Sequence, residues 1–546
     1  MKKALSVTAI LSSLLLAAPV ALQAQFSYTT NADGLTLTIT GYAGTPSVGP
    51  VDIPTNINGL TVVNIGNAAF AGQIVTYPLR FFEPDNYPTS VTIPGTVTNI
   101  GQGAFYYCAS LTYATFSNGV ISIGEGAFSD CASLTNVTIP ASVSSIGGGA
   151  FSDCASLTAI TVDVTNSFYS SVNGVLFDKN QFTLLEYPCG LGGNYAIPET
   201  VTNIGQGAFS NCVSLTSVTI PNGVTSIGES AFEDCAGLTN ATIPGTVTNI
   251  GNSAFYYCTR LTGATIPDGV TSIGEMTFDG CASLTSVTIP TGVTSIGESA
   301  FEACTGLTNI TISGTVTNIG DSAFCDCPSL TSAIIPDGVT SIGESMFASC
   351  ASLTSVTIPA SVTSIGDSAF FYCSNLTSAT IPAGVTSIGE LAFRNCTSLT
   401  SVTIPASVTS IGVEAFEYCF SLTNVFFTGD APAADLHAFW SDTNTTAYYL
   451  PGTAGWVAFS ASTGLRTVLW NALIQAGNSS LGVRSNQFMF NITGTTGIPI
   501  VVEACTNLAS PVWTPLQTLM LNNGSFSFSE PLQTNNSGRF YRISSP

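Results

Sequence analysis

A unit of 23 residues repeats along most of this chain and constrains its fold more than any other feature. The unit reads A-F-x-x-C-x-x-L-T-x-x-T-I-P-x-x-V-T-x-I-G-x-x. A fixed period of this size is typical of a solenoid, in which each coil buries its apolar side only against its neighbours. A chain of 546 residues, too long for one compact core, can fold as such an array. The repeat phenylalanine stands at Phe105, Phe128, Phe151, Phe209, Phe232, Phe255, Phe278, Phe301, Phe324, Phe347, Phe370, Phe393, Phe416 and Phe439.

One coil, from Phe209 to Ser230, shows how the unit is expected to fold. Val218 and Ile220 alternate with polar residues, which predicts a short strand with one buried face. Pro221 ends this strand because proline cannot donate to a ladder. Gly228 is predicted to be a left-handed turn residue.

An acid or amide recurs just after this glycine and predicts how the next segment begins. The placement suits the N-terminus of a short helix, whose unpaired N–H groups favour an acceptor or a negative charge. A calcium-binding ladder is the alternative, but the spacings of calcium-binding loops are absent. We therefore predict a capping role for Glu125, Gln206, Glu229, Asn252, Glu275, Glu298, Asp321, Glu344, Asp367 and Glu390.

Stacking places equivalent residues of successive coils side by side, about 4.8 Å apart. A row of threonines is therefore predicted on the outer face of the sheet, where each neighbouring pair contributes up to about 1 kcal/mol. We take this row as the first candidate binding surface. Its members are Thr138, Thr219, Thr242, Thr265, Thr288, Thr311, Thr357, Thr380 and Thr403.

Aromatic residues that follow the repeat phenylalanine form the second candidate binding surface. Most other coils have Ser, Asp or Glu at these positions, so the rings are expected to be partly exposed. Exposed tyrosine is enriched at protein interfaces, and its ring can also stack on a sugar. Simple packing over the turns is the alternative interpretation. The residues are Tyr106, Tyr107, Tyr256, Tyr257, Phe371, Tyr372 and Tyr418.

The cysteines occupy one repeat position in 13 of 16 cases. Stacked Cβ atoms about 4.8 Å apart exceed the separation that a disulfide prefers, and an odd set cannot pair completely. We predict small buried hydrophobes, no disulfide and no zinc site, since His437 is the only histidine. Cys189, Cys325 and Cys505 stand outside the ladder, and a cross-link from Cys189 or Cys325 to another chain stays open.

The repeat resembles the BspA-type leucine-rich repeats of bacterial surface and secreted proteins. The stretch from Cys281 to Phe301 shows the motif C-x-x-L-T-x-x-T-I-P-x-x-V-T-x-I-G-x-x-A-F, and similar copies extend over about 26–470. The resemblance implies a curved leucine-rich-repeat solenoid with a parallel β-sheet on one face and short helical turns on the other. It also implies adhesion or protein binding, and it brings no catalytic residues.

Breaks in the period and the two ends of the chain define the predicted domains. A basic start, an apolar stretch and Leu22-Gln23-Ala24 predict a signal peptide. Val172-Asn173-Gly174-Val175 predicts a hairpin inside one insert, which either binds a ligand or elaborates the structure. The predicted boundaries are 1–24 for the signal peptide, 25–70 for an N-terminal cap, 71–470 for the solenoid with inserts near 71–92 and 163–197 and a C-terminal cap near 425–470, 471–482 for a linker or first strand, and 483–546 for a small all-β sandwich module.

Charge and hydropathy limit the partners. The formal charge is −22 although only 8% of the residues are charged, and removal of two signal-peptide lysines makes it 8 − 32 = −24. Nucleic acid and anionic membranes are poor partners for such a surface. No later stretch approaches 18 consecutive apolar residues, so no membrane span is predicted. We predict no cofactor, and the sequence carries no signal for an oligomeric state.

Catalysis is not predicted. Enzymes that cleave acidic polysaccharides need clustered carboxylates or basic residues over the substrate. Between Phe209 and Phe416 only Arg260 and Arg394 are basic, and His437 has no catalytic partner motif. We expect an exported, non-catalytic adhesion or recognition protein that binds a protein or glycan ligand. A structural surface or matrix component is the second hypothesis, and a carbohydrate-active β-helix enzyme is the third.

Overall fold

The computed structural model describes residues 25–43, 49–71, 88–442, 444–475, 481–484, 487–508, 510–531 and 539–544. The predicted signal peptide and residues 72–87 of the first predicted insert lie outside this set. The chain forms a β-solenoid of about 18 turns and a C-terminal all-β region. It divides into two compact units, one ending at Val316 and the other beginning at Thr317. Among the described residues, no helix is long and apolar enough to cross a membrane.

Most coils of the first unit contribute two short strands each. It begins with the strands Phe26–Thr30, Thr36–Tyr42, Pro50–Asp52, Asn56–Ile57 and Leu60–Ile65. The longer strands of the following coils are Ser90–Ile93, Tyr113–Phe116, Asn136–Ile139, Ala159–Val162, Gly193–Ala196, Leu215–Thr219, Asn240–Thr242, Ser286–Thr288 and Asn309–Thr311. The two-residue strands are Asn99–Ile100, Ser122–Ile123, Ser145–Ile146, Asn203–Ile204, Ser226–Ile227, Asn249–Ile250, Ser272–Ile273 and Ser295–Ile296.

The predicted hairpin of the second insert is confirmed. Tyr169–Val172 pairs antiparallel with Val175–Asp178, and Asn173 and Gly174 form the turn with positive φ. Val175–Asp178 then pairs with Thr183–Glu186, which rejoins the parallel array. A 3₁₀ turn at Cys189–Leu191 follows.

The second unit continues the same pattern and then closes it. Its longer strands are Ser332–Ile334, Ser355–Thr357, Ser378–Thr380, Ser401–Ile404, Asn424–Phe427, Thr446–Tyr449 and Arg466–Leu469, and its two-residue strands are Asn318–Ile319, Ser341–Ile342, Ser364–Ile365, Ser387–Ile388 and Ser410–Ile411. The last two longer strands are the predicted closing pair and run parallel, with the helix Trp456–Thr463 between them.

Two antiparallel sheets follow and enclose one core. One sheet contains Ala472–Gln475, Leu481–Arg484, Gln487–Gly494 and Ser525–Pro531, and the other contains Pro499–Cys505, Thr514–Met520 and Phe540–Ser544. Ala472–Gln475 is a strand, so of the two alternatives for 471–482, a linker or a first strand, the structure has the strand. The core of the sheets includes Phe426 and Tyr448 from the last coils, so this module packs directly on the end of the solenoid.

The repeat phenylalanines are buried and stack in register within each unit. Ring centroids are 4.8 Å apart between Phe209 and Phe232, and 5.1 Å apart between Phe370 and Phe393. The rings lie within about 15° of parallel in both pairs. This arrangement confirms that equivalent side chains of successive coils lie side by side.

The turn segments around these phenylalanines are not helical, so the prediction of short helical turns is wrong. Their amides alternate between two partners. Phe105 N donates to Ala127 O of the next coil at 2.8 Å, whereas Cys108 N donates to Phe105 O of its own turn at 3.2 Å. A helix directs successive amides along its own axis. A segment in which every second amide donates to the neighbouring coil therefore cannot be a helix.

Left-handed residues accompany this alternation. In every coil from Phe105 to Phe416, the residues two before and two after the repeat phenylalanine have positive φ. Ser253 at 55° and Tyr257 at 52° flank Phe255 in this way. Single left-handed residues interrupt the run of right-handed ones that a helix needs.

Two further predictions for the turn are corrected. Gly228 does not have positive φ, and the left-handed residue of this turn is Ser230. Glycine is needed at position 228 because a Cβ there would lie 2.7 Å from Gln206 N of the preceding coil. The residue after this glycine caps no helix. Where it is short, as at Asn252, its side chain accepts a hydrogen bond from the N–H of Glu275 in the next coil, at 3.1 Å.

The ladder cysteines are buried, and most of them act as hydrogen-bond donors. Cys235 Sγ lies 3.0 Å from Phe209 O of the preceding coil, and Cys373 Sγ lies 3.1 Å from Phe347 O. Burial raises the pKa of the Cys235 and Cys373 thiols, and it raises that of Cys350 to about 12. The cysteine is therefore more than a small hydrophobe, because it satisfies a buried carbonyl.

One disulfide corrects the prediction that the chain has none. Cys189 and Cys212 are bonded, with Cα atoms 4.5 Å apart. The insert replaces an ordinary turn segment with the 3₁₀ turn, and Cys189 thereby approaches Cys212 within the range that a disulfide needs. Because Cys189 is bonded to Cys212, its thiol is not available for the cross-link to another chain that the sequence left open.

An aspartate ends the ladder in the last coil. Asp442 follows Phe439 at the spacing that cysteine has elsewhere, is only 6% exposed, and has no hydrogen-bond partner for either carboxyl oxygen. Burial raises its pKa to about 8, and the nearby backbone amide of Cys419 opposes only part of this shift. Asp442 is thus protonated at neutral pH.

The cysteine ladder predicts a low thiol count in the native protein. All cysteines outside the disulfide are buried except the half-buried Cys325. Ellman's reagent should therefore modify about one thiol natively and about 14 in denaturant. Cys325→Ser should abolish the native reaction. Fast native modification of several thiols would contradict the buried ladder.

Asp442 predicts that stability falls as pH rises. The unfolded carboxyl loses its proton near its ordinary value of 3.8, whereas the folded one keeps it until about 8. Its stabilising contribution is therefore full below about pH 4 and is lost between pH 4 and 8. Asp442→Asn should raise the melting temperature at pH 8, by the equivalent of a few kcal/mol, with a smaller effect at pH 4. The exposed Asp337→Asn is the control, and equal effects of both variants at pH 8 would contradict this account.

Candidate functional site

The predicted threonine row is present in both units. Thr219 pairs with Thr242 in one sheet of the first unit, and Thr380 pairs with Thr403 in the second. In these pairs the side chains point away from the core. The row is interrupted at Ile334, which takes the place of a threonine beside Thr357. A binding role for this row stays a prediction.

A gap in the first unit removes Thr265 from the sheet. The coil that contains it has no longer strand, although Thr265 itself is exposed. Gly263 stands where other coils have Ser or Asn, and glycine weakens a strand interior. The gap leaves a groove of about 530 Å³ between the strands that carry Thr242 and Thr288.

The two residues after each repeat phenylalanine form a ridge along the turns, which we call the turn ridge. Tyr106 and Tyr107 lie on it partly buried, with ring centroids 6.3 Å apart. Phe371 and Tyr372 form a closer pair at 4.6 Å, and Tyr372 is 50% exposed. Packing over the turns stays the alternative interpretation for the partly buried rings.

The tyrosines two residues after a repeat phenylalanine occupy a backbone conformation that suits them poorly. Tyr107, Tyr257, Tyr372 and Tyr418 all have φ between 52° and 59°. Asn, Asp and Gly adopt such angles most readily, and a bulky residue there is strained. Each tyrosine therefore costs of the order of 1 kcal/mol relative to a better suited residue.

In the second unit, an aromatic patch surrounds an arginine on the turn ridge. Arg394 forms ion pairs with Glu414 at 2.9 Å and with Glu417 at 2.8 Å. Its guanidinium carbon lies 5.5 Å from the centroid of the Tyr418 ring. Trp440, 45% exposed, occupies the next coil. We define the aromatic patch as Tyr372, Arg394, Tyr418, Phe420 and Trp440.

In the first unit, carboxylates surround the Tyr256–Tyr257 pair. The two rings lie 4.6 Å apart. Asp279, one coil further on, is only 9% exposed, and its pKa is raised to about 7 by burial and by the charge of Glu302. The pKa of Asp234, one coil before, is also raised, by burial and by Glu233. Like charges therefore accumulate around these rings.

The histidine gives no sign of catalytic geometry. His437 Nδ1 lies 3.6 Å from a carboxylate oxygen of Asp435, and half of both side chains is exposed. Its ring contacts Trp440, with centroids 5.5 Å apart. His437 and Trp440 therefore form a pair of rings at the surface, beside Asp435.

Comparisons with known proteins place these features in a family. The model of the BspA type leucine rich repeat region matches residues 80–191, 187–290, 249–377 and 363–479. A leucine-rich repeat protein from Bacteroides ovatus ATCC 8483 is 28% identical, with a TM-score of 0.48, over 78% of this chain and 98% of that protein. A leucine rich cell surface protein from Faecalibacterium prausnitzii A2-165 is 32% identical, with a TM-score of 0.41, over 69% of this chain and 92% of that protein.

Among curated proteins, none matches the sequence significantly. The family match nevertheless covers well over half of the chain and follows the coils through both units. The chain belongs to the BspA-type leucine-rich-repeat family.

Proposed function

We propose that this protein is an exported, non-catalytic binding protein that recognises a protein or glycan ligand through its solenoid surface. Membership of the BspA-type family supports this proposal, since such proteins are typically surface proteins. The predicted signal peptide agrees with export. The ligand is expected to bind at or outside the cell surface.

The observation that carries the proposal is the exposure of strained aromatic residues on the turn ridge. Tyr372 is half exposed although its left-handed backbone would suit Asn or Gly better. Strain of this kind persists where the residue serves a function. Tyr, Trp and Arg, which the aromatic patch combines, are also the residues that dominate binding energy at interfaces. The patch is therefore our first choice for the contact surface.

The first test is a binding screen. The full chain without residues 1–24 would be applied to an array of extracellular matrix proteins and oligosaccharides. We expect at least one reproducible ligand with a Kd in the micromolar range or tighter. Absence of binding at concentrations of about 100 µM would contradict the proposed function, since that limit lies well above ordinary recognition affinities.

A trade-off between stability and binding tests the aromatic patch. Tyr372→Asn should raise the free energy of unfolding by about 1 kcal/mol, because Asn suits positive φ. The same variant should weaken the ligand found in the screen about fivefold or more. Ser349→Asn, at the same position of a neighbouring coil, is the matched control and should leave binding unchanged. Melting curves and surface plasmon resonance measure both effects, and unchanged binding by the tyrosine variant would exclude the patch.

A structural role in a surface layer or matrix is the second candidate. The near-identical coils and the exposed threonine row favour it, because a regular surface can associate with copies of itself. Filaments or large assemblies in sedimentation experiments would support this role. A monomer at all concentrations would remove it.

A further inference from the structure

We infer that the turn ridge around Tyr256 and Tyr257 binds the cationic side chains of an arginine- or lysine-rich protein segment. This inference rests on the proposed binding function and narrows its ligand. The first support is geometric. Asp234 N donates to Tyr256 O at 2.7 Å, and Tyr257 N donates to Asp279 O at 2.7 Å. The backbone of the two tyrosines is thus bonded directly to acidic residues of the coils on either side.

The ring of Tyr257 fills the space that a side chain would need at the equivalent position of the next coil. That position is Gly280, and a Cβ there would lie 2.7 Å from Cδ2 of Tyr257. The absence of a side chain on Gly280 therefore leaves room for the ring to lie over the backbone beside Asp279. One aromatic face and the surrounding carboxylates share one small surface, which is the composition that attracts a cation.

The charges at this surface have no internal counterpart. Within the described part of the first unit, Glu233, Asp234, Asp279 and Glu302 form no ion pair. Arg260, three residues after Tyr257, pairs with none of them. Burial, and after it the charge of Glu302, raises the pKa of Asp279, and a bound cation would oppose that effect.

The second unit shows the same chemical parts with a cation in place. Arg394 contacts the ring of Tyr418 and pairs with Glu414 and Glu417 of that coil. Glu417 and Tyr418 occupy the same two ridge positions that Tyr256, Tyr257 and Asp279 occupy in the first unit. The repeat thus contains an internal example of a guanidinium held by ridge carboxylates and a tyrosine. At Tyr256 and Tyr257, the guanidinium or ammonium has to come from another molecule.

The overall charge favours the same class of partner. A formal charge of −22 attracts basic segments over long distances, and the ridge then supplies the short-range contacts. Charge alone would bind such a segment anywhere on the surface. The inference is specific because it assigns the binding to two rings and the acids beside them.

The test uses the full chain without residues 1–24 and a fluorescein-labelled octaarginine peptide. Fluorescence anisotropy at pH 8 and moderate salt should show saturable binding. Tyr256→Ala combined with Tyr257→Asn, which suits the left-handed backbone, should weaken it about fivefold, as expected for the loss of a cation–π contact. Asp279→Asn should weaken it by a similar factor, and the exposed Asp337→Asn, which removes the same charge elsewhere, by less than about twofold.

Each outcome decides the inference. Equal weakening by Asp279→Asn and Asp337→Asn would reduce the binding to diffuse attraction and overturn the site. Spermine that competes as well as unlabelled octaarginine would overturn the assignment to a protein segment. Melting curves of every variant exclude unfolding, and Tyr256→Ala alone serves where the double variant is unstable.

The site and the proposed function can fail separately. If a ligand from the array binds the Tyr256–Tyr257 variant as tightly as the wild type, the proposed function is supported and this site is contradicted. If octaarginine binding depends on the tyrosines but no ligand in the array binds, the site is supported and the proposed function is contradicted.

Discussion

Within each unit, the fold depends on hydrogen bonds that run from one coil to the next at the turns. Phe232 N donates to Ala254 O, and Phe255 N donates to Thr277 O, so the turns are tied together much as the strands are. The stacked phenylalanines and the thiols beneath them fill the interior that this spacing creates. Gly228 and its equivalents allow the backbones to approach that closely. Each layer thus fixes the register of the next.

This constraint also explains what the surface can do. A turn that gives alternate amides to its neighbour needs left-handed residues, and their side chains project outward on the turn ridge. Most coils place small or acidic residues there, which tolerate the backbone. Tyr257 and Tyr372 are departures that reduce stability and expose a ring. Binding residues in a repeat protein of this kind are therefore expected where a coil departs from the repeat sequence. The proposed sites in both units start from such departures.

Much of the architecture could be predicted from the sequence, because period and polarity are direct consequences of stacking. The strands around Val218, the buried Phe232 and the hairpin at Asn173 all followed from spacing and residue type. The prediction of helical turns was wrong because the acid or amide after the repeat glycine was interpreted as a helix start, in agreement with the resemblance. Asp130 and Asn395 pointed to another conformation, since Asp and Asn are favoured where φ is left-handed. The disulfide was missed although Cys189 precedes Cys212 by one period.

The candidate sites were only partly predictable, since they depend on neighbours that are 23 residues apart. The tyrosines were visible in the sequence, but the carboxylates beside them and the place left by Gly280 were not. The in-register stacking of successive coils is tested most directly by electron paramagnetic resonance of nitroxide labels at Thr380 and Thr403. The account predicts strong dipolar broadening, because the labelled backbones lie about 4.8 Å apart in adjacent strands. Spectra without broadening would contradict the in-register stack on which every proposal rests.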